Sequence, residues 1–149
     1  MVRRIEESVL IDAPRQLVWR TLVDLACWAD WSSVLTRVVP GAHATLDSGS
    51  HFSCSLQPFG VAIPFAVRVE LAEAPARLLW TAARWGVRGR HWFHLSDHGG
   101  GTRCDSVEDL SGPAVVLAGP FFPEWRFRDL TRRFLGDLKA GAERRAGGG

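Results

Sequence analysis

The chain has no tyrosine, only one methionine, and no apolar run that approaches the roughly 20 residues needed to span a bilayer. Its first four residues are basic in character, but the polar stretch at 5–8 interrupts any apolar segment that could serve as a signal peptide. We therefore expect a cytoplasmic protein without a membrane span.

The chain also lacks a strong excess of either positive or negative charge. Eighteen basic residues against sixteen acidic ones leave a net charge of +2, which is too weak a bias for nucleic-acid binding. The three cysteines, Cys27, Cys54 and Cys104, form no CxxC pair, so buried reduced thiols are expected rather than a zinc site or disulfides. His91 and His94 are three residues apart on a predicted strand and so lie on opposite faces, which is unfavourable for a metal. Neither a metal nor a cofactor is expected.

Tryptophan and phenylalanine, by contrast, are abundant. The chain has seven Trp and eight Phe, and both types of side chain favour cores and the walls of apolar cavities. Seven Trp exceed the usual packing needs of a small domain, so some of them are expected to face a ligand. The length suits one domain, which we place at residues 1–146. The three terminal glycines, 147–149, are expected to form a disordered tail.

Hydrophobic periodicity gives the order of the elements. Alternation predicts a strand at 3–11, helical spacing predicts a helix from Arg15, and a second short helix is predicted at 28–32. A long amphipathic helix is predicted from Glu124, ending near Gly141. Between them lie six predicted strands at 34–39, 50–57, 63–72, 77–85, 88–96 and 102–110. This order predicts an α+β fold in which a curved antiparallel sheet of about seven strands wraps around the long C-terminal helix.

Five segments resemble one family in the same order along the chain. They are 11–19 (IDAPRQLVW), 29–32 (ADWS), 74–80 (APARLLW), 101–112 (GTR followed by EDLSG) and 135–139 (LGDLK). Together they resemble the START-like (Bet v 1-like, SRPBCC) superfamily, and within it the bacterial polyketide cyclase/dehydrase and lipid-transport group. The resemblance implies a helix-grip fold with an internal cavity. It implies no particular activity, because this superfamily includes binders, transfer proteins and enzymes without a shared catalytic set.

Strand alternation then predicts which polar residues face the interior. Charged side chains mark the solvent face, since an unpaired buried charge is costly. In the last strand this places Arg103 and Asp109 outside and Glu108 inside, and the same alternation places His91 and Arg84 inside on the two preceding strands. A single β-bulge would invert such an assignment.

Each of these three residues has a catalytic and a structural interpretation. Glu108 is either a general base with a pKa raised by burial or a structural residue that pairs with Arg84 or caps a neighbouring backbone group. His91 is either an acid/base group or a hydrogen-bonded core histidine, and Arg84 either anchors an oxyanion or extends into solvent from a strand end. Ser106 has no evident catalytic partners, and the chain contains no GxSxG, HExxH or P-loop motif.

Aromatic and aliphatic side chains are predicted to form the wall around these polar groups. The predicted ligand-binding residues are Trp80, Phe93, Ser106, Phe121, Trp125, Phe134, Trp31, Val67 and Val69, and Leu71 is also predicted to face inward.

Three functions are compatible with this arrangement. The first is binding of a small hydrophobic molecule, aromatic or polyketide-like, in an internal cavity. The second is a polyketide cyclase/dehydratase that uses Glu108 or His91 to move protons and Arg84 to stabilise an enolate. The third is a partner-binding regulator with a filled interior and a large exposed apolar patch. The expected partner is a hydrophobic small molecule, and the formation of a homodimer is left open.

Overall fold

The structure is a computed structural model and describes residues 2–148. Within this range the chain forms seven strands and four α-helices, with 3-10 turns at Leu25–Cys27 and Gly119–Phe121. The elements are β1 (Arg3–Ile11), α1 (Arg15–Val23), α2 (Trp28–Trp31), β2 (Thr36–Pro40), β3 (His51–Leu56), β4 (Ile63–Glu73), β5 (Arg77–Arg84), β6 (Val87–His98), β7 (Gly101–Ser111), α3 (Pro113–Ala118) and α4 (Glu124–Gly147).

All seven strands form one antiparallel sheet in the order β1-β7-β6-β5-β4-β3-β2. Strands β2 to β7 follow one another as a meander, and β1 closes the order by pairing with β7. At the β6–β7 turn, Gly99 and Gly100 have φ values of 54° and 86°, a left-handed conformation that glycine adopts without steric cost. The predicted α+β helix-grip architecture, with two short helices after the first strand, is confirmed.

Helix α4 lies across the concave face of the sheet. Its 24 residues give a length of about 36 Å at 1.5 Å per residue. Leu130, Phe134 and Leu138 are spaced four residues apart and are buried on one face. Further along, Gly141 packs so closely on Trp31 that a Cβ atom at position 141 would lie 2.7 Å from the Trp31 Cβ. A glycine is therefore needed where α4 crosses α2.

An ion-pair cluster also joins β1 to α4. Oε1 of Glu7 lies 3.0 Å from Nη1 of Arg128 and 3.0 Å from Nε of Arg132. Partial burial raises the pKa of the Glu7 carboxyl, but the hydrogen bonds from Arg132 and Arg128 outweigh it and hold the pKa below its usual value. Glu7 is thus ionised where it meets the helix.

Nearly all the buried apolar residues in the described range 2–148 belong to one of two clusters. The larger one is centred on Trp28, whose ring lies 5.6 Å from Phe52, 5.9 Å from Trp80 and 5.7 Å from Phe134, centroid to centroid. In the smaller one, α3 and the turn after it cover the end of the sheet, with Ile5, Leu110, Val115 and Phe122 buried together. A space remains between these two clusters, on the inner side of the sheet.

Two expectations are wrong at this level. The β4–β5 pairing shifts register between Val69 and Leu71, and this irregularity inverts the alternation, so that Ala72 rather than Leu71 packs against the main core. Helix α4 does not end near Gly141 but continues to Gly147, with Gly148 as its C-cap. Of the predicted disordered tail, 147–149, the first residue therefore belongs to α4 and the second is its C-cap. Residue 149 lies outside the described residues.

No helix among residues 2–148 combines the length and the hydropathy required to cross a membrane.

Candidate functional site

A cavity of about 300 Å³ lies between the inner face of the sheet and α4, where the two hydrophobic clusters do not meet. Its volume is at the lower end of the range of small-molecule sites, about 300–1,000 Å³. Strands β4 to β7 form one wall and α4 the other. Its apolar lining includes Phe65, Val67, Trp80, Ala82, Leu110, Phe127, Leu130 and Phe134.

Two ionisable side chains enter this apolar space from neighbouring strands. His91 of β6 and Glu108 of β7 are directly opposite in the sheet register, so they project from the same face. The Nδ1 atom of His91 lies 3.0 Å from Oε2 of Glu108, and the side chains are 10% and 17% exposed. The alternation of the two strands therefore produces a carboxylate–imidazole pair inside the cavity.

Ser106 completes a chain of three hydrogen-bonding groups. Its Oγ lies 2.6 Å from Nε2 of His91. A carboxylate can only accept, so Nδ1 of His91 carries the hydrogen that faces Glu108. In the neutral ring Nε2 then accepts the hydrogen of the Ser106 hydroxyl. No catalytic partner of Ser106 is evident from the sequence, whereas in the structure both nitrogens of His91 are engaged, one by Glu108 and the other by Ser106.

This chain of groups is not a nucleophilic triad. Ser106 is 1% exposed and does not line the cavity, whereas His91 and Glu108 do. A nucleophile must reach the reacting atom, so Ser106 is placed to orient the imidazole and not to attack a substrate. The two groups that can meet a ligand are the imidazole and the carboxylate.

Aromatic packing fixes the orientation of the His91 ring. The ring stacks on Phe93 with centroids 4.1 Å apart and an interplanar angle of 19°. The Trp80 ring meets it edge-on at 5.9 Å. With one face of the imidazole covered, a rotation that would exchange its two nitrogens is obstructed, and the pairing with Glu108 and Ser106 is preserved.

Arg84 lies at the open end of the cavity, where β5 ends. Its side chain is exposed, and its guanidinium carbon lies 5.3 Å from the centroid of the Trp85 ring. Arg84 is four positions along β5 from Trp80, and Trp80 pairs with His91 in the neighbouring strand. At about 3.3 Å per residue, Arg84 is therefore about 13 Å along the strand from the position of His91. Among the ion pairs of residues 2–148, Glu108 contacts His91 and not Arg84, so the expected Glu108–Arg84 pair is not formed.

The structure brings together six of the predicted site residues. The predicted residues that do line the cavity are Arg84, His91, Glu108, Trp80, Phe134 and Val67. Four others lie in the packed layer behind it, namely Phe93, Ser106, Trp31 and Val69. Of these, Phe93 and Ser106 contact His91 directly, and Trp31 packs on Phe134 with ring centroids 5.3 Å apart.

Phe121 and Trp125 were predicted to form interior walls, and this prediction is wrong. Phe121 is 90% exposed and Trp125 is 69% exposed. At 3.6 residues per turn, Trp125 and Phe127 point about 200° apart on α4, so only one of them can face the sheet, and Phe127 does. Phe122, the neighbour of Phe121, turns inward and stacks on Phe127 at 5.5 Å.

Apart from Phe134 and Arg84, the residues that form the α4 wall and the opening of the cavity were not among the predicted site residues. Phe127, Leu130 and Thr131 line the cavity from α4, and their spacing from Phe134 by seven, four and three residues is the helical signal that could have identified them. Phe59 and Trp85 line the opening from turns, where no periodicity marks an inward residue. Among residues 2–148, no three His, Cys, Asp or Glu side chains are arranged to hold a metal ion.

The fold and the cavity define a protein of the Bet v 1-like (START-like, SRPBCC) class. Residues 2–143 match the family described as polyketide cyclase / dehydrase and lipid transport, and the chain belongs to this family. A search of curated proteins finds no significant match.

Solved structures with low sequence identity show the same fold. Ara h 8.0201 is 11% identical, with all of both chains covered and a TM-score of 0.74. TTHA0849 from Thermus thermophilus is 14% identical over 94% of this chain and 97% of that one, with a TM-score of 0.79. The di-domain ARO/CYC BexL from the BE-7585A biosynthetic pathway is 16% identical over 95% of this chain, which spans 50% of BexL, with a TM-score of 0.77.

Proposed function

We propose that this chain binds a small hydrophobic molecule, aromatic or polyketide-like, in the cavity between the sheet and α4. The observation that carries the proposal is an apolar chamber of about 300 Å³ whose walls carry the carboxylate–imidazole pair of Glu108 and His91. Apolar walls with a few convergent polar groups are typical of small-molecule sites. Membership of the polyketide cyclase / dehydrase and lipid-transport family supports the same class of ligand.

The polar groups indicate how such a ligand lies. The Glu108 carboxylate accepts hydrogen bonds, so it favours a phenolic or enolic hydroxyl at the inner end of the ligand. Arg84 lies about 13 Å away along β5 and favours an anionic group at the opening. A flat molecule the size of naphthalene, with a hydroxyl at one end and a carboxylate at the other, fits this arrangement.

Calorimetric titration with a hydroxynaphthoate that carries its two groups at opposite ends tests the proposal. Ala82→Phe places a ring in the cavity, because Ala82 lines it, whereas Ala66→Phe places the same ring on the exposed outer face of β4. Wild type and Ala66→Phe should bind, and Ala82→Phe should not. Equal binding by both variants, or no binding of naphthalene, naphthol or hydroxynaphthoate by the wild type, would refute the proposal.

A second candidate function is cyclase/dehydratase chemistry in the same cavity. The observation that favours it is the Ser106–His91–Glu108 chain, which holds a carboxylate and an imidazole side by side on the wall of an apolar chamber. Glu108 would remove a proton from a carbon between two carbonyls of a poly-β-ketone, and the enolate carbon would form a bond to a distant carbonyl carbon of the same chain. The resulting alkoxide would take this proton back from Glu108 and become a hydroxyl. Glu108 would then remove the second proton of the same carbon and deliver it to the hydroxyl, which leaves as water as the carbon–carbon double bond forms.

Arg84 has a different place in this scheme from the one expected from sequence. At about 13 Å from the His91 level, it is suited to hold an anionic end of the substrate at the opening and not the enolate. Folding of the chain by the shape of the cavity would supply much of the rate enhancement.

Incubation with a linear poly-β-ketone thioester, followed by mass spectrometry, tests the second candidate. The expected product has lost one water per cyclisation. Glu108→Gln should abolish turnover and still bind the substrate, and Glu70→Gln, on the outer face, should retain both. Parallel loss of turnover and binding in Glu108→Gln would mark Glu108 as structural.

The cytoplasm is the proposed location of this function. The three cysteines are free and buried, and burial raises the pKa of the Cys54 and Cys104 thiols to about 12. Thiols that stay protonated and unpaired suit a reducing compartment.

A further inference from the structure

Large exposed hydrophobic side chains concentrate around the opening of the cavity. Ten such side chains are exposed among the described residues, and seven of them belong to the segments 58–62, 84–88 and 113–126. We call these three segments the mouth rim. Their most prominent members are Phe59, Trp85, Leu117, Phe121 and Trp125, which range from 60% to 90% exposed. A concentration of this kind marks an interaction site, whereas scattered exposed residues would not.

Hydrogen bonds join the three segments into one surface. The amide of Ala114 donates to the carbonyl of Gly86 at 3.0 Å and attaches α3 to the β5–β6 turn. Nε of Arg126 donates to the carbonyl of Pro58 and attaches the start of α4 to the β3–β4 turn. The exposed rings are therefore presented together by a fixed scaffold around the cavity opening.

The charge of the mouth rim is positive. It carries Arg84, Arg88 and Arg126 against a single acidic residue, Glu124, which itself lies 4.0 Å from Nη2 of Arg128. The guanidinium carbons of Arg84 and Arg126 lie 5.3 Å and 5.7 Å from the rings of the tryptophans next to them, Trp85 and Trp125. Tryptophan and arginine side by side, with apolar tips beyond them, are typical of surfaces at the boundary between headgroups and acyl chains.

We propose that the mouth rim docks on an anionic lipid bilayer. The rings of Phe121, Trp125 and Trp85 enter the headgroup region, and the arginines contact lipid phosphates. A second copy of the chain is a poorer partner, because two positive rims would face each other. Docking in this orientation places the opening of the cavity against the bilayer, where hydrophobic molecules accumulate.

Co-sedimentation of the ligand-free protein with vesicles tests this proposal separately from ligand binding. One vesicle contains phosphatidylcholine and phosphatidylglycerol in equal parts, and the other contains phosphatidylcholine alone. Wild type should sediment with the first and much less with the second, and added salt should release it. Phe121→Ser with Trp125→Ser should weaken binding roughly tenfold or more, and each of Arg84→Gln and Arg88→Gln about fivefold.

The matched control is the pair Leu10→Ser and Val39→Ser. These two side chains are also exposed and apolar but lie on β1 and β2, outside the mouth rim. The control pair should bind vesicles as the wild type does. The four replaced apolar side chains, Phe121, Trp125, Leu10 and Val39, are all exposed, so thermal melts should confirm that both double variants fold.

Several results would overturn the proposal. One is equal sedimentation with both vesicles or with neither, and another is equal loss in the rim and control pairs. Sedimentation equilibrium that shows a dimer abolished by Phe121→Ser with Trp125→Ser, without vesicle binding, would assign the rim to self-association instead. Retention on immobilised polyglutamate by wild type and not by the rim pair, again without vesicle binding, would assign it to an acidic protein.

Discussion

His91 and Glu108 face each other across the β6–β7 hairpin, with Nδ1 of the imidazole 3.0 Å from Oε2 of the carboxylate. The hairpin register fixes this pair, because residues opposite each other in antiparallel strands share one face. Ser106, at the neighbouring inward position of β7, forms a hydrogen bond with Nε2 of His91. A single tight turn at Gly99 and Gly100 thus sets the alignment of all three groups.

Glu108→Gln should reduce the preference for a hydroxylated ligand. A hydrogen bond from a hydroxyl to an ionised carboxylate contributes about 1.5–3 kcal/mol, so the wild type should bind naphthol at least roughly tenfold more tightly than naphthalene. In Glu108→Gln a neutral hydrogen bond of about 1 kcal/mol remains, so this ratio should fall to about fivefold, as measured by calorimetry. Glu70→Gln, on the exposed face of β4, should keep the wild-type ratio. An unchanged ratio in Glu108→Gln would show that the ligand does not reach this carboxylate.

Ser106→Ala should destabilise the fold because it leaves Nε2 of His91 buried without its partner. We expect the free energy of unfolding to fall by about 1–2 kcal/mol in urea titrations. Ser53→Ala, on the outward side of β3, should change it by less than about 0.5 kcal/mol. The same effect for both variants would indicate that the Ser106 hydroxyl is not bonded to His91.

Strict alternation explains why much of the sheet wall could be predicted from sequence. Val67, Trp80, His91 and Glu108 lie on strands whose outward positions carry charged residues, and each lines the cavity as expected. Where one face is buried, a shift of one residue would expose the whole apolar set, so the pattern specifies the face. The bounds predicted for β1, 3–11, agree with the structure for the same reason.

The remaining errors come from features that periodicity does not encode. The register shift after Val69 turns Leu71 away from the core, and nothing in the local sequence marks it. Phe121 belongs to a 3-10 turn, so neither helical nor strand spacing applies to it. Trp125 could have been excluded from the cavity wall on sequence alone. It lies two positions before Phe127, and a helix directs residues two positions apart to opposite faces. The pairing of Ser106 with His91 required the register of two strands and was visible only in the structure.

Glu7→Gln should reduce the dependence of the unfolding free energy on pH in the acid range. Arg132 and Arg128 hold the pKa of Glu7 below its usual value of 4.5, so the ionised carboxylate stabilises the folded state at neutral pH. This contribution is lost as the pH falls through the folded pKa, where the carboxylate becomes protonated.

The difference in unfolding free energy between wild type and Glu7→Gln should therefore be on the order of 1 kcal/mol at pH 7 and should shrink towards zero in strong acid. Urea titrations across the acid range measure it, with Glu6→Gln, exposed on the other face of β1, as control. A difference that grows as the pH falls would contradict this account of the ion pair.

Two glycines of α4 should respond in opposite directions to the same substitution. Gly136 is exposed, and a Cβ built there meets no atom within 4 Å, so Gly136→Ala should stabilise the helix by about 0.5–1 kcal/mol through a less flexible unfolded chain. At Gly141 the same methyl group would lie 2.7 Å from Trp31 Cβ, and Gly141→Ala should destabilise the fold by about 1–3 kcal/mol. Urea unfolding of both variants measures the change in unfolding free energy at each site. Helix propensity alone predicts a gain at both sites, so a loss at Gly141 would show the effect of its packing on Trp31. A gain at Gly141 would mean that α4 can move away from Trp31 without cost and that the packing of α2 on α4 does not fix the position of the helix over the cavity.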